Sequence, residues 1–285
     1  ILCGIVTCDR TELLKRCIKN INNQNLPPDM ILIVNHGKIL VNINSNIKLN
    51  IINQNNNGSA AGWNRAIDYA IKNDFDFIWL MDDDGYPEKD SLSLLTKNFT
   101  KNLSCISSLV INENHKNELV FSMPKINKKN IFDYIFKIKK VSEISRLSNN
   151  CLYPYVHLFN GALISVNVLK KIGNININYR IYGEEVDYFY RLKQYGPLYT
   201  LITSRHYHPS VSKKMISEKN IYYLLRNSII NNNKYSKFKL LKNLIIIFVT
   251  LVRVFRRNGL IFLIKFLFNN KFIFFKSIYD GHKKL

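Results

Sequence analysis

The sequence predicts an α/β fold, with a mostly parallel sheet flanked by helices and a C-terminal helical extension. Two observations support this fold class. Apolar, strand-like runs alternate with amphipathic helical patterns over the first part of the chain, which is typical of a parallel sheet. The last fifth of the chain has no strand pattern and is apolar and basic by turns. With 285 residues and 47% apolar content, the chain can build a substantial core.

Polar loops follow the predicted strands of the first part of the chain. Their sequences are TCDR, NHG, NQNNNG and DDDG. Because the carboxyl ends of parallel strands meet at one edge of a sheet, we expect these four loops to form a ligand site. Thr11 is the expected N-cap of the first helix. The predicted strands are Leu2–Val6, Met30–Val34, Lys48–Ile52, Phe75–Met81 and Ser104–Val110, with helices after the first and third strands and at Lys89–Lys101.

The second part of the chain is less regular. Asn112–Asn150 is polar, basic and rich in Asn and Lys, with an apolar island at Ile131–Ile138, and we expect an insertion or a mobile loop over the site. Beyond it, the pattern predicts a helix from about Gly183 to Tyr195, a strand at PLYTLI, and an amphipathic helix at Glu218–Asn231.

The composition is strongly basic. Lys and Arg exceed Asp and Glu by 41 − 20, a net charge of +21. Such an excess favours polyanionic partners, although the abundance of Asn, Ile, Lys and Phe is also typical of an AT-rich genome. The five cysteines form no CxxC pair and no metal-ligand spacing, which favours reduced thiols in a cytosolic protein.

About half of the excess charge lies at the C-terminal end. Residues 234–285 contain twelve Lys and Arg and one acid, so the net charge is 12 − 1 = +11. The apolar run Leu244–Val252 is too short to span a bilayer, which needs roughly 20 apolar residues. We expect two amphipathic helices within Leu240–Phe275 that lie on an anionic membrane surface. The alternative is a basic helical hairpin packed on the catalytic domain or on a second subunit.

Three consecutive aspartates follow the fourth strand in the segment FIWLMDDDGYP. In an extended segment alternate side chains share a face, so Asp82 and Asp84 are expected to point together and Asp83 away from them. Two carboxylates at a strand exit suit Mg²⁺ or Mn²⁺, which favour oxygen ligands and keep positions free for phosphate. The alternative is a solvated, Asp-rich turn.

An ordered series of segments carries a family resemblance. These segments are VTCDR, NNNGSAAGWNRAI, DDD, FNGALISVNVLKKIG, YGEEVDYFYR and YYLLRNSI. They resemble the motifs of glycosyltransferase family two, which has the GT-A fold, and among its members the galactofuranosyl- and rhamnosyltransferase-like branch. The resemblance covers about residues 1–231. It implies a nucleotide-sugar-binding half at 1–110 and an acceptor-binding half at 111–231, with 232–285 as the helical extension.

The resemblance implies an inverting transfer, in which an acceptor hydroxyl attacks the anomeric carbon and a nucleoside diphosphate leaves. Such a reaction needs a carboxylate base, and Glu185 matches the second acid of the family's helix motif, where Asp is commoner. Partial burial of Glu185 would make it a better base. Glu184 and Asp187 are implied on the acceptor side, together with Asn160 and Gly161. The alternative for the glutamates is an ordinary place in the first turn of a helix, where the dipole favours acids.

The resemblance also implies a donor site and a third metal ligand. His206 or His208 would complete a Mn²⁺ or Mg²⁺ site with Asp82 and Asp84, and the sequence does not distinguish the two histidines. Asn35 stands where the family usually carries the Asp that contacts the nucleobase. Phosphate is expected at the Gly- and Asn-rich loop and the helix beside it. The implied donor-binding residues are Thr7, Arg10, Asn35, Asn57, Gly58, Trp63, Arg65, Asp82 and Asp83.

The sequence therefore predicts a metal-dependent glycosyltransferase that builds a bacterial surface polysaccharide, such as a capsule or O-antigen. The donor is UDP-galactofuranose or another UDP- or dTDP-sugar, and dTDP-rhamnose is an alternative. A polyprenyl-linked acceptor would explain the basic C-terminal helices, which would hold the enzyme on the inner face of the cell membrane; these helices could also mediate oligomerisation. Two other functions are weighed: a nucleotidyltransferase, for which TCDR lacks the expected glycine-rich loop, and a nucleic-acid-binding protein, which leaves the acidic loop unexplained. We expect no nucleic-acid partner.

Overall fold

The computed structural model describes residues 1–126, 137–211 and 214–283. Its strands are β1 Leu2–Thr7, β2 Met30–Asn35, β3 Leu49–Asn53, β4 Phe77–Asp82, β5 Tyr86–Pro87, β6 Cys105–Asn112, β7 Glu118–Pro124, β8 Lys137–Lys140, β9 Leu152–Tyr153, β10 Asn160–Ser165 and β11 Leu198–His208. Its helices are α1 Thr11–Asn22, α2 Ser59–Lys72, α3 Ser91–Asn98, α4 Val141–Leu147, α5 Val166–Ile172, α6 Glu184–Tyr195, α7 Glu218–Tyr235, α8 Lys239–Asn258, α9 Leu260–Asn269 and α10 Lys271–Gly281.

The central sheet has the strand order β3-β2-β1-β4-β10-β6-β11-β5. Strand β1 pairs in parallel with β2 and β4, and β2 pairs in parallel with β3, so the first four predicted strands form one parallel block. Strands β6 and β11 are also parallel. Strand β10 lies between β4 and β6 and is antiparallel to both. It is not among the strands predicted from the sequence. The sheet is therefore mixed and mostly parallel.

Helix α1 packs its apolar face on the sheet as predicted. Leu14, Cys17, Ile18 and Ile21 are buried against residues of β1, β2 and β4. This spacing of three and four residues places the four side chains on one helical face. Thr11 is the first helical residue and not the N-cap; the preceding Arg10 makes no side-chain capping bond.

The segment predicted as a loop at Asn112–Asn150 is largely regular where it is described. Strand β7 pairs with β6 and β8, and helix α4 directly follows β8. Its apolar side chains are the physical reason, since Leu119, Met123 and Ile144 are buried in one cluster with Ile138. Of the predicted apolar island, residues 131–136 lie outside the described residues.

The C-terminal region forms three helices where two had been expected. Helix α8 ends at Gly259, whose φ of 85° is readily adopted only by glycine, and α9 and α10 follow. Val254 of α8 and Phe266 of α9 are buried in a cluster with Ile216 and Ile221. Among the described residues, no helix combines the length and apolarity that crossing a membrane requires.

The chain divides into two compact units. The first comprises residues 1–57, 62–174 and 191–211 and contains the sheet; the second comprises 58–61, 175–190 and the described part of 212–285. The predicted boundary between residues 231 and 232 does not coincide with this division, because α7 packs with α8 and α10 in the second unit.

Candidate functional site

The aspartate triplet begins at the carboxyl end of β4, beside the end of β1. Asp82 is the last residue of β4 and lies opposite Val6, one residue before Thr7 at the end of β1. The parallel register of these two strands therefore brings the loops TCDR and DDDG together, as the sequence predicted. The Arg10 side chain reaches from the first loop to the second.

Asp83 is fully buried and is held from two sides. The Thr7 hydroxyl donates to Asp83 Oδ2 at 2.6 Å, and an Arg10 guanidinium nitrogen lies 3.2 Å from Oδ1. Burial raises the pKa of Asp83 to about 6, although Thr7 and Arg10 act in the opposite direction. This environment makes Asp83 a structural acid of the site.

Asp84 faces two basic side chains. Arg10 donates to Oδ2, and His208 Nε2 lies 3.1 Å from Oδ1. Burial acts to raise the pKa of Asp84, but His208 and Arg10 outweigh it and lower the pKa to about 2. The structure brings Asp83 and Asp84 together on Arg10, and this differs from the predicted pairing of Asp82 with Asp84. The alternation of an extended chain does not apply here because β4 ends at Asp82 and a turn follows.

Arg10 balances the negative charge of the triplet. Its partial burial acts to lower its pKa, but the attraction of Asp83, Asp84 and Asp82 more than compensates and raises the pKa. Three like charges can therefore share one strand exit because a guanidinium lies among them.

Strand β11 carries both histidines to the triplet. This strand is longer than predicted, because beyond PLYTLI it continues in parallel with β6 and pairs with β5, with His206 opposite Pro87. His206 is fully buried, neither of its ring nitrogens has a hydrogen-bond partner, and burial lowers its pKa to about 3. A Cβ atom on Gly85 would lie 2.2 Å from His206 Nε2, so the glycine of DDDG provides the space for this ring.

The donor atoms at Asp84 and His208 suit a divalent metal ion. A carboxylate oxygen and an imidazole nitrogen are ligands that Mn²⁺ accepts, and the buried Asp83 Oδ1 has no hydrogen bond of its own. No group of three or more His, Cys, Asp or Glu side chains in the described ranges is arranged as a complete metal site. The protein residues present therefore fit two ligands of an ion that takes its other ligands from substrate or water.

Asn35 is buried and is engaged inside the protein. Its Nδ2 donates to Ile39 O at 3.0 Å and to Asn53 Oδ1 at 2.9 Å, and its Oδ1 accepts from Gly37 N at 2.8 Å. A nucleobase contact would have to use the remaining lone pair of Oδ1. These bonds indicate that Asn35 shapes the loop after β2.

The predicted phosphate loop and its helix are arranged differently from the expectation. Helix α2 begins at Ser59, so Trp63 lies in its second turn, where it is buried and stacks on Phe159 with the ring centroids 4.3 Å apart. Trp63 is therefore a core residue and not a member of the helix N-terminus. Asn57 and Arg65 are exposed.

Gly58 precedes α2 and has a φ of 90°. A Cβ atom there would lie 2.0 Å from Arg180 O, and this carbonyl also accepts from Ala60 N at 3.1 Å. Of the first-turn N–H groups, Ala60 N and Ala61 N are thus hydrogen-bonded within the protein. Gly58 is required for backbone packing, whether or not it also contacts a phosphate.

Asn160 and Gly161 lie at the start of β10, beside β4. Asn160 is paired with Met81, next to the triplet, and its buried Oδ1 has no hydrogen-bond partner. Gly161 has a φ of 88° and forms an irregularity in the pairing with β4; a Cβ atom there would lie 3.2 Å from His206 Nδ1. The NG pair is predicted on the acceptor side, and the structure places Gly161 beside His206.

The acidic first turn of α6 belongs to the second unit. Glu184 is 5% exposed; its Oε1 accepts from the Ser59 hydroxyl, and its Oε2 has no hydrogen-bond partner. Burial raises the pKa of Glu184. Glu185 is partly exposed. The burial expected at Glu185 is found at its neighbour Glu184, because Glu184 is the residue that the helix turns inward.

Asp187 is buried and neutralised in the same unit. Lys234 Nζ and the Tyr235 hydroxyl both lie 2.7 Å from its Oδ1. These contacts favour a structural role for Asp187 over the predicted contact with an acceptor. Nothing in the sequence marks the roles of Ser59 and Tyr235. The glycine of DDDG is a local signal for the close packing at Gly85.

Comparisons with known proteins show the family to which the chain belongs. The family model described as "Glycosyl transferase family 2" matches residues 3–151. Galactofuranosyltransferase GlfT1 of Mycolicibacterium smegmatis is 26% identical over 218 residues, which are 73% of this chain and 71% of that protein. GlfT1 of Mycobacterium tuberculosis is 25% identical over 216 residues, which are 72% of this chain and 68% of that protein.

Solved structures share the fold. Staphylococcus aureus TarS has a TM-score of 0.58 at 12% identity and matches 98% of this chain with 48% of its own, so this chain spans about half the length of TarS. A mannosyltransferase of Pyrobaculum calidifontis, PcManGT, solved with GDP-Man and Mn²⁺, has a TM-score of 0.53 at 11% identity, over 98% of this chain and 81% of that one. These likenesses confirm the predicted GT-A fold with added C-terminal helices.

Proposed function

This chain is a member of glycosyl transferase family 2, and from this premise we propose that it transfers a sugar from a nucleotide-sugar donor to a hydroxyl of a growing glycan. The observation that carries the proposal is the cluster of Asp83, Asp84, Arg10 and His208 at the carboxyl ends of β4 and β11. This acidic cluster contains one guanidinium group. When a nucleotide sugar binds, a metal ion would take its place beside the carboxylates, and the guanidinium would contact the diphosphate.

Asp84 and His208 would hold Mn²⁺ or Mg²⁺, and such an ion supplies positive charge for the leaving diphosphate. We assign the metal to His208 rather than His206 because His208 contacts Asp84, whereas His206 is enclosed behind Gly85. Arg10, released from Asp84, would be free to bind phosphate oxygens.

The chemical step is a single displacement. The acceptor hydroxyl oxygen forms a bond to the anomeric carbon, the bond from that carbon to the diphosphate oxygen breaks, and the hydroxyl proton passes to a carboxylate. We assign the base to Glu185, which is partly exposed and can meet an acceptor. Glu184, with its unpaired Oε2, would accept a hydrogen bond from a sugar hydroxyl.

The donor is proposed to be UDP-galactofuranose, because both GlfT1 proteins are galactofuranosyltransferases. A panel of UDP-, dTDP- and GDP-sugars, assayed for nucleotide release with Mn²⁺ or Mg²⁺, tests this. The expected result is release from one donor that depends on an acceptor and is abolished by EDTA. Release from dTDP-rhamnose alone would replace the donor assignment, and turnover that resists EDTA would contradict the metal.

We also propose that the acceptor is a polyprenyl-linked glycan and that α8–α10 lie on the inner face of a bacterial membrane. These helices expose many large apolar side chains among basic ones, and a bilayer with anionic headgroups matches both properties. A second copy of this chain would bring one strongly basic surface against another. The exposed side chains include Phe238, Leu240, Leu244, Phe248, Phe255, Ile261, Phe268, Phe272 and Phe275.

Vesicle sedimentation tests the membrane proposal. The protein should bind vesicles that contain phosphatidylglycerol more strongly than pure phosphatidylcholine, and added salt should weaken binding. Phe248→Asp should reduce binding, whereas the control Leu40→Asp, also at an exposed apolar residue, should not. If neither vesicle type binds and sedimentation velocity shows a dimer that Phe248→Asp dissociates, the surface is a protein interface instead.

A further inference from the structure

The loop that leads into α6 has an unusual backbone. Arg180 and Tyr182 have positive φ angles of 63° and 62°, and Gly183 follows with 86°. Residues other than glycine adopt such angles only when surrounding contacts enforce them. The loop is directly followed by Glu184 and Glu185, and Gly183 O accepts the helical hydrogen bond from Asp187 N at 3.0 Å. Its conformation therefore sets the start of α6.

Two side chains of α7 hold this loop by its carbonyl groups. Asn227 Nδ2 lies 2.8 Å from Tyr179 O, 2.8 Å from Ile181 O and 2.6 Å from Tyr182 O. The adjacent Arg226 donates to Asn178 O. The RN pair of the segment YYLLRNSI thus contacts the backbone of four residues in a single loop.

Asn231, one turn further along α7, completes the contact. Its Nδ2 donates to Gly183 O at 2.8 Å, and its Oδ1 accepts from the Tyr179 hydroxyl at 2.6 Å. A Cβ atom on Gly183 would lie 2.9 Å from Asn227 Cβ, so α7 lies against this glycine. Asn227 and Asn231 are four residues apart and therefore share one face of α7.

We infer that Asn227 is a positioning residue for the reaction: by holding the carbonyls of the 179–182 loop, it fixes the first turn of α6 and with it the two glutamates. This inference rests on the proposed function, in which that turn supplies the base. Asparagine is a poor helix former, and at this buried place an aliphatic residue would leave the loop carbonyls without a donor. The contacts with the loop, and not the stability of the helix, therefore explain why residue 227 is an asparagine.

Asn232 provides a matched control. It lies in the same helix and is also buried, but its amide donates to Lys239 O and Asn243 Oδ1, which belong to α8. Asn227→Ala and Asn232→Ala each remove one buried amide from α7, so they should lower the melting temperature to a similar extent. Only Asn227→Ala should misplace the acidic turn.

The experiment compares steady-state kinetics and donor binding for wild type, Asn227→Ala, Asn232→Ala and Glu185→Gln. Asn227→Ala should lower kcat by about 10²-fold, because a small misplacement of a reacting group has an effect of this size. Its donor Kd should stay within about twofold of wild type, and Asn232→Ala should keep both values. Equal loss of kcat in the two alanine variants, or none in Asn227→Ala, overturns the inference.

Glu185→Gln separates this inference from the proposed function. If it is inactive while Asn227→Ala behaves like Asn232→Ala, the positioning role alone fails. If Glu185→Gln retains full turnover, the assigned base fails and the inference fails with it.

Limited proteolysis gives a readout that needs no substrate. Trypsin should cut after Arg180 faster in Asn227→Ala than in wild type or Asn232→Ala, because the loop loses its carbonyl contacts. Where Asn227→Ala does not fold, Tyr179→Phe replaces it, since this change removes the hydroxyl bond to Asn231. It should lower kcat in the same direction by a smaller factor, and unchanged kcat with unchanged cleavage overturns the inference.

Discussion

Asp83 and Asp84 after β4 and the two glutamates that open α6 are acids that the fold buries in part or in full, but their surroundings differ. Asp83 and Asp84 face the basic side chains Arg10 and His208. Glu184 faces only a neutral donor on one oxygen, the hydroxyl of Ser59, and its other oxygen is unpaired. Asp84 keeps its charge by pairing, whereas burial outweighs the partners of Asp83 and Glu184 and makes their charge costly.

This difference matches the two tasks of the proposed reaction. A site for a metal ion and a diphosphate needs carboxylates that stay ionised, and the contacts with His208 and Arg10 lower the pKa of Asp84 to about 2. A turn that handles a hydroxyl proton benefits from carboxyl groups with a pKa nearer to neutrality, and burial raises the pKa of Glu184. In this proposal, the carboxyl group thus serves two roles that depend on its environment.

The largest effect is expected from Asp84→Asn, which would break the paired region. The amide keeps the shape but loses the charge that meets His208 and would hold the metal. Since such an ion contributes several kcal/mol, turnover should fall by about 10³-fold or more. Nucleotide release measures this, with Asp74→Asn, a surface aspartate paired with Lys170, as the control. Near-normal turnover of Asp84→Asn would contradict the metal assignment.

A somewhat smaller effect is expected from Glu185→Gln, which removes the proposed base. The loss of general base catalysis should lower kcat by about 10²-fold or more with little change in donor affinity. Glu184→Gln can still hydrogen-bond and should lose less. If Glu184→Gln proves the more damaging of the two, then the buried glutamate is the base and the assignment within the turn reverses.

The pH dependence of stability sharpens the comparison further. Because burial raises the pKa of Glu184 above its ordinary value of 4.5, the folded state holds a proton that the unfolded state releases first. The free energy of unfolding therefore falls as the pH rises through this interval. Glu184→Gln removes this titration, so its melting temperature should rise relative to that of wild type as the pH increases above about 4.5. A rise in melting temperature that is independent of pH, or equal to that of Glu185→Gln, would contradict the raised pKa of Glu184.

Much of the paired region could be predicted from the sequence because it depends on strand order. The parallel block of β1 to β4 follows from alternating patterns, and parallel strands bring TCDR and DDDG to one edge. The pairing of Asp83 with Asp84 could not be predicted in this way, since it depends on where β4 ends and on the reach of Arg10.

The orientation of the acidic turn of α6 does not follow from the sequence pattern. Its helix was predicted to within a residue, yet the inward direction of Glu184 depends on the loop with positive φ at Arg180 and Tyr182. Nothing local in the sequence signals that loop, because the side chains that hold it come from α7, nearly 50 residues further along. Long-range contacts of this kind leave a recognisable motif in the sequence, but the motif alone does not show which groups it contacts.

The smallest effects should come from removing the one hydroxyl that each buried acid receives. Thr7→Val deletes the bond to Asp83, whose pKa of about 6 leaves it largely ionised beside Arg10 at pH 8, so the loss at that pH should be about 2 kcal/mol, as for a bond to a charged group. Ser59→Ala deletes the bond to Glu184, and where this carboxyl group holds a proton the loss should be about 1 kcal/mol. Urea unfolding of both variants measures these values. Because an ionised Glu184 would miss its donor more, the loss in Ser59→Ala should grow as the pH rises; a loss that does not change with pH would contradict the raised pKa of Glu184.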